Sequence, residues 1–244
     1  MTYSSLDSVV AEYKARSLAV GEPKPWIVKA VLLAPQRSEI HDLFQRLDDL
    51  LTVLATEERG KVKARFDECV PKDPPQWREE YDEQFREVFI ELLGLEWLRE
   101  RYPGKRVGFY SRSYEKGVRT PDLGVWNCDS LLAAMECKKF NTSEEEKAWL
   151  TKTGDITIEP NLDPSSPLAK KLVATIQGAK GQLDSTHLSD NKFIFMSISL
   201  DTPVWTDPIK PIVQQFVREQ ADTLRSQGVE LLAFEGFQPD RPFI

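Results

Sequence analysis

An acid that follows a proline, and an acid–x–lysine triplet on the next apolar segment, are the residues of this chain best suited to chemistry. Residues 119–139 read RTPDLGVWNCDSLLAAMECKK, which makes them Asp122, Glu136 and Lys138. Side chains of a strand alternate between its two faces. In LLAAMECKKF, Glu136 and Lys138 therefore share one face, continued inward by Leu132 and Ala134. Met135 and Cys137 point the other way, into apolar packing. Asp122 opens the preceding strand. If NCDS turns the chain back as an antiparallel neighbour, Asp122 falls beside Glu136 and Lys138. Two carboxylates within reach of one cation, with a lysine alongside, suit cleavage of a phosphodiester. The cation polarises the phosphoryl group and lowers the pKa of bound water. The lysine orients or deprotonates that water, or stabilises charge on phosphate. A frayed strand end reaching water is the plain alternative.

Composition narrows the cation. The only histidines are His41 and His187, so a histidine-rich metal site is excluded. A carboxylate site suits a hard cation, Mg²⁺ or Mn²⁺. The three cysteines, Cys69, Cys128 and Cys137, form no CxxC pair. That argues against a disulfide framework or zinc knuckle and fits a reducing, cytoplasmic setting. Cys128 and Cys137 are read as buried thiols, close across neighbouring strands. No apolar run approaches the roughly 20 residues of a membrane span, and the N-terminus has no secretory pattern. The net charge of −7 does not announce a nucleic-acid binder. Its distribution matters more. Between Arg101 and Thr120 six basic side chains stand against one acid, Glu115, and Lys138 and Lys139 follow. A local basic face on an acidic protein can hold phosphates.

The elements that must position these residues follow from periodicity and punctuation. VVAEYKARSLAV is one helix candidate. SEIHDLFQRLDDLLTVLATEERGKVKARFDECV is a longer one, capped by Ser38. VPKDPPQW is a proline-rich break. In the next helix Tyr81, Phe85, Val88, Phe89, Leu92 and Glu96 share a face, and Pro103-Gly104 ends it. RVGFYSRS, TPDLGVWN and LLAAMECKKF read as three strands of a meander. NTSEEEKAWLTKTGDITIEPNLDPSSP is polar and irregular, with a capping-box pattern at Ser143 and Glu146. Ser166-Pro167 starts another helix. KFIFMSISL is a buried strand. PIKPIVQQFVREQADTLRSQG is a helix closed by Gly228, and VELLAFEGF is a last strand. The expected class is α/β, with a central mixed sheet flanked by helices. Residues 1–72 form an N-terminal helical region. Residues 73–244 form the main domain, with an insertion at about 141–166 and a C-terminal α-β extension.

Pro121-Asp122 followed by Glu136-Cys137-Lys138, on consecutive strands after a helix, resembles the PD-(D/E)xK nuclease superfamily, the restriction-endonuclease-like fold. The α-β-β-β-α-β order over residues 76–200 is similar to its core. The resemblance implies a metal-dependent nuclease, an endonuclease rather than an exonuclease, with DNA as the target. It implies that Asp122, Glu136 and the backbone carbonyl of Cys137 bind Mg²⁺, with Mn²⁺ as a substitute. Lys138 would position or activate water, leaving a 5′-phosphate and a 3′-hydroxyl. Asp82, on the first helix, would join a second metal or hold a metal-bound water; an exposed acid favoured by the helix dipole is the plain alternative there. Gln182 and Lys180, on the helix after the third strand, would touch phosphate or the Glu136–Lys138 neighbourhood. Arg112, Lys116 and Arg119 are phosphate contacts by proximity in sequence.

Two other readings use the same residues. One is a catalytically silent nucleic-acid-binding or structural module on this fold, which should bind no metal there. The other is a carboxylate–metal phosphohydrolase of nucleotides, which would not need the basic stretch. No helix-turn-helix or finger is legible for reading bases. Duplex cleavage uses two active sites, so a homodimer is expected. The six tryptophans are read chiefly as core or contact residues. Trp149, in the polar insertion, is the best placed to stack on a base. No P-loop or dinucleotide glycine fingerprint is present.

Overall fold

The computed structural model describes residues 11, 38–69, 79–110, 119–142, 162–188, 191–199 and 209–244. The helix expected over VVAEYKARSLAV, the Ser143–Glu146 capping box, Trp149 and the boundary at residues 72 and 73 lie outside them. The chain divides into two compact units, Met1–Glu96 and Trp97–Ile244.

In the first unit the long helix expected from Ser38 onward is two helices, α1 (Ser38–Val53) and α2 (Thr56–Glu68). Packing explains the break. Phe44 of α1 and Phe66 of α2 both contact Phe89, with ring centroids 5.8 Å and 6.0 Å from it. In one straight helix they would stand roughly 33 Å apart. The chain bends at Leu54-Ala55, and Thr56-Glu57-Glu58 restarts it with acids in the first turn, where the helix dipole favours them. Helix α3 (Glu79–Arg101) carries Phe85, which stacks on Phe66 at 4.8 Å. Burial on α3 exceeds the one face its sequence pattern marks, for Ile90, Leu93 and Leu95 are enclosed as well. Two ion pairs finish this cluster, Arg46–Glu96 at 2.5 Å and Arg65–Glu91.

The second unit is an α/β arrangement with a six-stranded mixed sheet in the order β1-β2-β3-β4-β5-β6. Gly104 ends α3 with φ 76°, a backbone region that glycine enters without steric cost. Then β1 (Arg106–Phe109), β2 (Leu123–Asn127) and β3 (Ser130–Asn141) form the expected antiparallel meander. Helix α4 (Pro167–Asp184) crosses over to β4 (Lys192–Ser199), which is parallel to β3. Helix α5 (Ile209–Arg225) leads to β5 (Val229–Glu235), parallel to β4. Gly228 closes α5 with φ 74°. A sixth strand, β6 (Gln238–Pro242), returns antiparallel to β5 and is not expected from the sequence. Its prolines at 239 and 242 disguise it, and an edge strand tolerates them because one side need not donate hydrogen bonds.

Ala134, Phe140, Ile194 and Met196 form one sheet face and pack with Leu172, Ile176 and Ala179 of α4 and Val213 and Val217 of α5. Burying each of the larger side chains contributes roughly 1.5–3 kcal/mol. The opposite face holds Met135, Phe193 and Phe195. There Trp97 meets Phe193 at 5.2 Å, and Phe234 meets Phe195 at 4.6 Å. Among the described residues no helix is long and apolar enough to cross a membrane.

Candidate active site

The register of β2 against β3 decides which charges meet. Leu123 pairs with Met135 and Gly124 with Ala134. Carried one residue further, the same register sets Asp122 opposite Glu136, on the face that α4 covers. Cys128 and Asp129 make the connecting turn, with Cys128 at φ 53°. The expected closeness of Cys128 and Cys137 does not occur. Cys128 is exposed in the turn and Cys137 is buried well along the strand, because a two-residue turn leaves the first thiol at the hairpin tip.

Asp122 is fixed at both its main chain and its side chain. Its carbonyl accepts the Tyr110 amide at 2.9 Å. Its Oδ2 accepts the Cys137 amide at 2.9 Å. Within a strand, the N–H and C=O of one residue point the same way. The Cys137 carbonyl therefore faces the Asp122 side too. The residue opposite it in register is Pro121, which has no amide hydrogen to donate.

Glu136 is fully buried. Its Oε1 accepts from Lys138 Nζ, while its buried Oε2 has no hydrogen-bond partner among the described residues. A buried carboxylate oxygen without a donor is costly. Burial, and next the charge of Asp122, push the Glu136 carboxyl up to about 8, against the opposing pull of Lys138. Burial works to lower the pKa of Lys138, but the charges of Glu136, then Asp122, outweigh it and raise the ammonium above its ordinary value. Two carboxylates forced together, one with a buried oxygen that has no hydrogen-bond partner among the described residues, fit a cation held between them.

Helix α4 brings the next group. Ser166 Oγ accepts the Ala169 amide at 3.2 Å, and Pro167 follows in the first turn, as the sequence predicts. Thirteen residues on from Ala169, Gln182 faces the strands. Its Oε1 accepts from Lys138 Nζ at 3.3 Å, and its Nε2 donates to the Thr120 carbonyl at 3.2 Å. One residue past the helix, Ser185 Oγ donates to the Arg119 carbonyl at 2.9 Å. The end of α4 is thus tied to the segment that leads into Asp122. Sequence reasoning found Gln182 but not the Thr120 and Ser185 ties, which involve backbone groups and leave no pattern in residue types.

The other predicted residues stand apart from this cluster or beyond the described residues. Lys180 pairs with Asp184 at 2.5 Å, and Lys192 reaches the same carboxylate at 3.2 Å. Lys180 foremost, then Lys192, holds Asp184 below the usual carboxylate range. The Arg119 side chain is exposed. Arg112, Lys116 and the side chain of Asp82 lie outside the described residues. Among the described residues no three His, Cys, Asp or Glu side chains gather closely enough to hold a metal. A cation at Asp122 and Glu136 would take its remaining ligands from main-chain oxygen and water.

No protein-family model, curated protein or solved structure matches this chain.

Proposed function

We propose that this chain is a metal-dependent nuclease of the PD-(D/E)xK type that hydrolyses phosphodiester bonds, most naturally in DNA. The observation that carries the reading is the convergence of Asp122, Glu136 and Lys138 on one buried sheet face, with Glu136 Oε2 left without a donor among the described residues. The α-β-β-β-α-β order, with an antiparallel meander followed by a parallel crossover, supports a restriction-endonuclease-like core.

Asp122 and Glu136 are the residues that would hold Mg²⁺, with the Cys137 carbonyl beside them. When bound, Mg²⁺ supplies Lewis-acid polarisation of the phosphoryl group and a lowered pKa for water. Asp122 keeps its orientation through the Cys137 amide. Glu136 gives up the proton that burial and Asp122 favour, because a ligand carboxylate must be ionised. Lys138, held between Glu136 and Gln182, directs a proton-donating ammonium at the attacking water or the phosphate oxygens. Gln182 fixes the lysine relative to Thr120, and so relative to Asp122.

The test is cleavage of linear and circular duplex DNA, single-stranded DNA, branched DNA and RNA, with Mg²⁺, Mn²⁺ or EDTA. Parent protein and Lys138→Ala are compared. Metal-dependent cutting, lost in the variant, is the expected result. A folded Lys138→Ala protein that keeps full activity overturns the mechanism. No cutting and no metal bound by calorimetry would move the reading to the silent module.

A further inference from the structure

The row of the sheet that holds the carboxylates continues onto β1. Because Arg106 pairs with Trp126 and Gly108 with Gly124, Tyr110 falls beside Asp122, as its amide bond to the Asp122 carbonyl confirms. Opposite residues of an antiparallel pair lie on the same face. Tyr110, Gly108 and Arg106 of β1 therefore share the face of Asp122, Gly124 and Trp126 of β2. That is also the face of Glu136.

Gly124 has a consequence for shape. A methyl group at Gly124 would meet Trp126 Cη2 at 2.6 Å, so the indole lies down over Gly124, directed along the strand toward Asp122. The Tyr110 ring is 5.8 Å from it, with the planes tilted by 35°. The Arg106 guanidinium sits 4.5 Å from the Trp126 ring centroid. Tyr110 and Trp126 are half-buried and Arg106 is exposed. Lys105, hydrogen-bonded to Asn127 at 3.1 Å, falls on the other face by the same alternation.

We infer that Tyr110, Trp126 and Arg106 form a stacking platform that holds the unpaired bases of a single-stranded nucleic acid beside the Asp122–Glu136 site. Flat aromatic and guanidinium groups attract the π-faces of bases without reading their edges. Inside a duplex those faces are covered by neighbouring bases. Only an unpaired strand can present them, and the Arg106 charge alongside suits its phosphates. The platform adjoins Asp122 through Tyr110, so a strand lying on it would pass the carboxylates. The inference rests on the nuclease reading for its catalytic meaning, but binding can be measured separately.

The experiment measures binding of fluorescent oligo-dT, oligo-U and a blunt DNA duplex by anisotropy in EDTA, where no cleavage interferes. Trp126→Leu should weaken both single strands about tenfold, and Trp126→Phe should recover most of that loss. Arg106→Gln, at an exposed position, should weaken single strands and flatten the salt dependence. Duplex binding should change little. Equal binding of oligo-dT and oligo-U marks a platform indifferent to sugar, and preference for one names the substrate. The inference fails if Trp126→Leu binds single strands as the parent does. It also fails if single strand and duplex are lost together with a fall in melting temperature that Phe does not rescue. In that case the indole only covers Gly124. Should Trp126→Leu not fold, Arg106→Gln decides alone, and parental binding of single strands by it overturns the inference. A parent that grips single strands yet neither binds Mg²⁺ nor cuts sinks the nuclease reading while leaving the platform. A parent that cuts duplex but binds single strands no better does the reverse.

Discussion

Two buried glutamates among the described residues differ in the charges around them. Glu91, in the helical unit, is paired with Arg65, and both side chains are about nine-tenths enclosed. Glu136, in the sheet unit, also has a cation, Lys138, but shares its pocket with a second acid, Asp122. A structural acid buried in a core is satisfied by an opposite charge and hydrogen bonds. Placing another carboxylate against it works against stability, and burial pushes Glu136 toward its neutral form. The first arrangement holds helices together. The second makes sense when something positive enters.

That contrast can be broken most forcefully at Lys138. Lys138→Ala should lower metal-dependent cleavage by at least ~100-fold, while circular dichroism shows an unchanged fold. The mirror experiment is Glu91→Ala, which removes the acid paired with Arg65. It should destabilise the chain by about 3–5 kcal/mol in urea unfolding and leave cleavage per folded molecule intact. If Glu91→Ala costs nothing, the structural half of the comparison is wrong.

Glu136→Gln should do the reverse of Glu91→Ala and stabilise the metal-free protein. In the folded chain the Glu136 proton is held up to about pH 8, and its ordinary value is 4.5. Folding therefore binds a proton between those limits. The associated stability is complete below pH 4.5 and is lost as the pH climbs through 8. Gln lacks that loss, so its advantage should grow across the same window to about 5 kcal/mol, followed by melting temperature against pH. Asp122→Asn removes the second cause of the shift and should move the window to lower pH. Over the same range Mg²⁺ affinity of the parent should rise with pH, with proton release visible by calorimetry in buffers of different ionisation enthalpy. A pH-independent affinity would falsify the assignment of Glu136 as a ligand.

The smallest expected effect is at Gln182. Gln182→Leu removes the bridge between Lys138 and the Thr120 carbonyl. Activity should fall about tenfold, while stability changes by about 1 kcal/mol. A change in melting temperature without a change in kcat would make Gln182 a brace for α4 and not for the lysine.

Legibility from sequence varied by element. The meander was readable because β1, β2 and β3 alternate or run apolar between punctuating turns. The start of α4 was readable because Ser166 and Pro167 are local signals. The bend at Leu54-Ala55 was hidden, since it answers to Phe89, far along the chain. β6 was hidden by two prolines that only an edge position permits. Within the site, Asp122, Glu136, Lys138 and Gln182 were legible as residue types in order, and Lys180, expected beside them, pairs with Asp184 instead.

By itself, then, the sequence determined the local periodicities, the caps, and the presence of two acids and a lysine on strands that could be neighbours. Only the tertiary structure decided that they meet. Register sets Asp122 against Glu136, and the packing of α4 brings Gln182 to Lys138. The resulting burial turns two ordinary carboxylates into a pair, one of which resists ionising without a cation. Proximity and dielectric are properties of the packed chain, and no order of residues carries them.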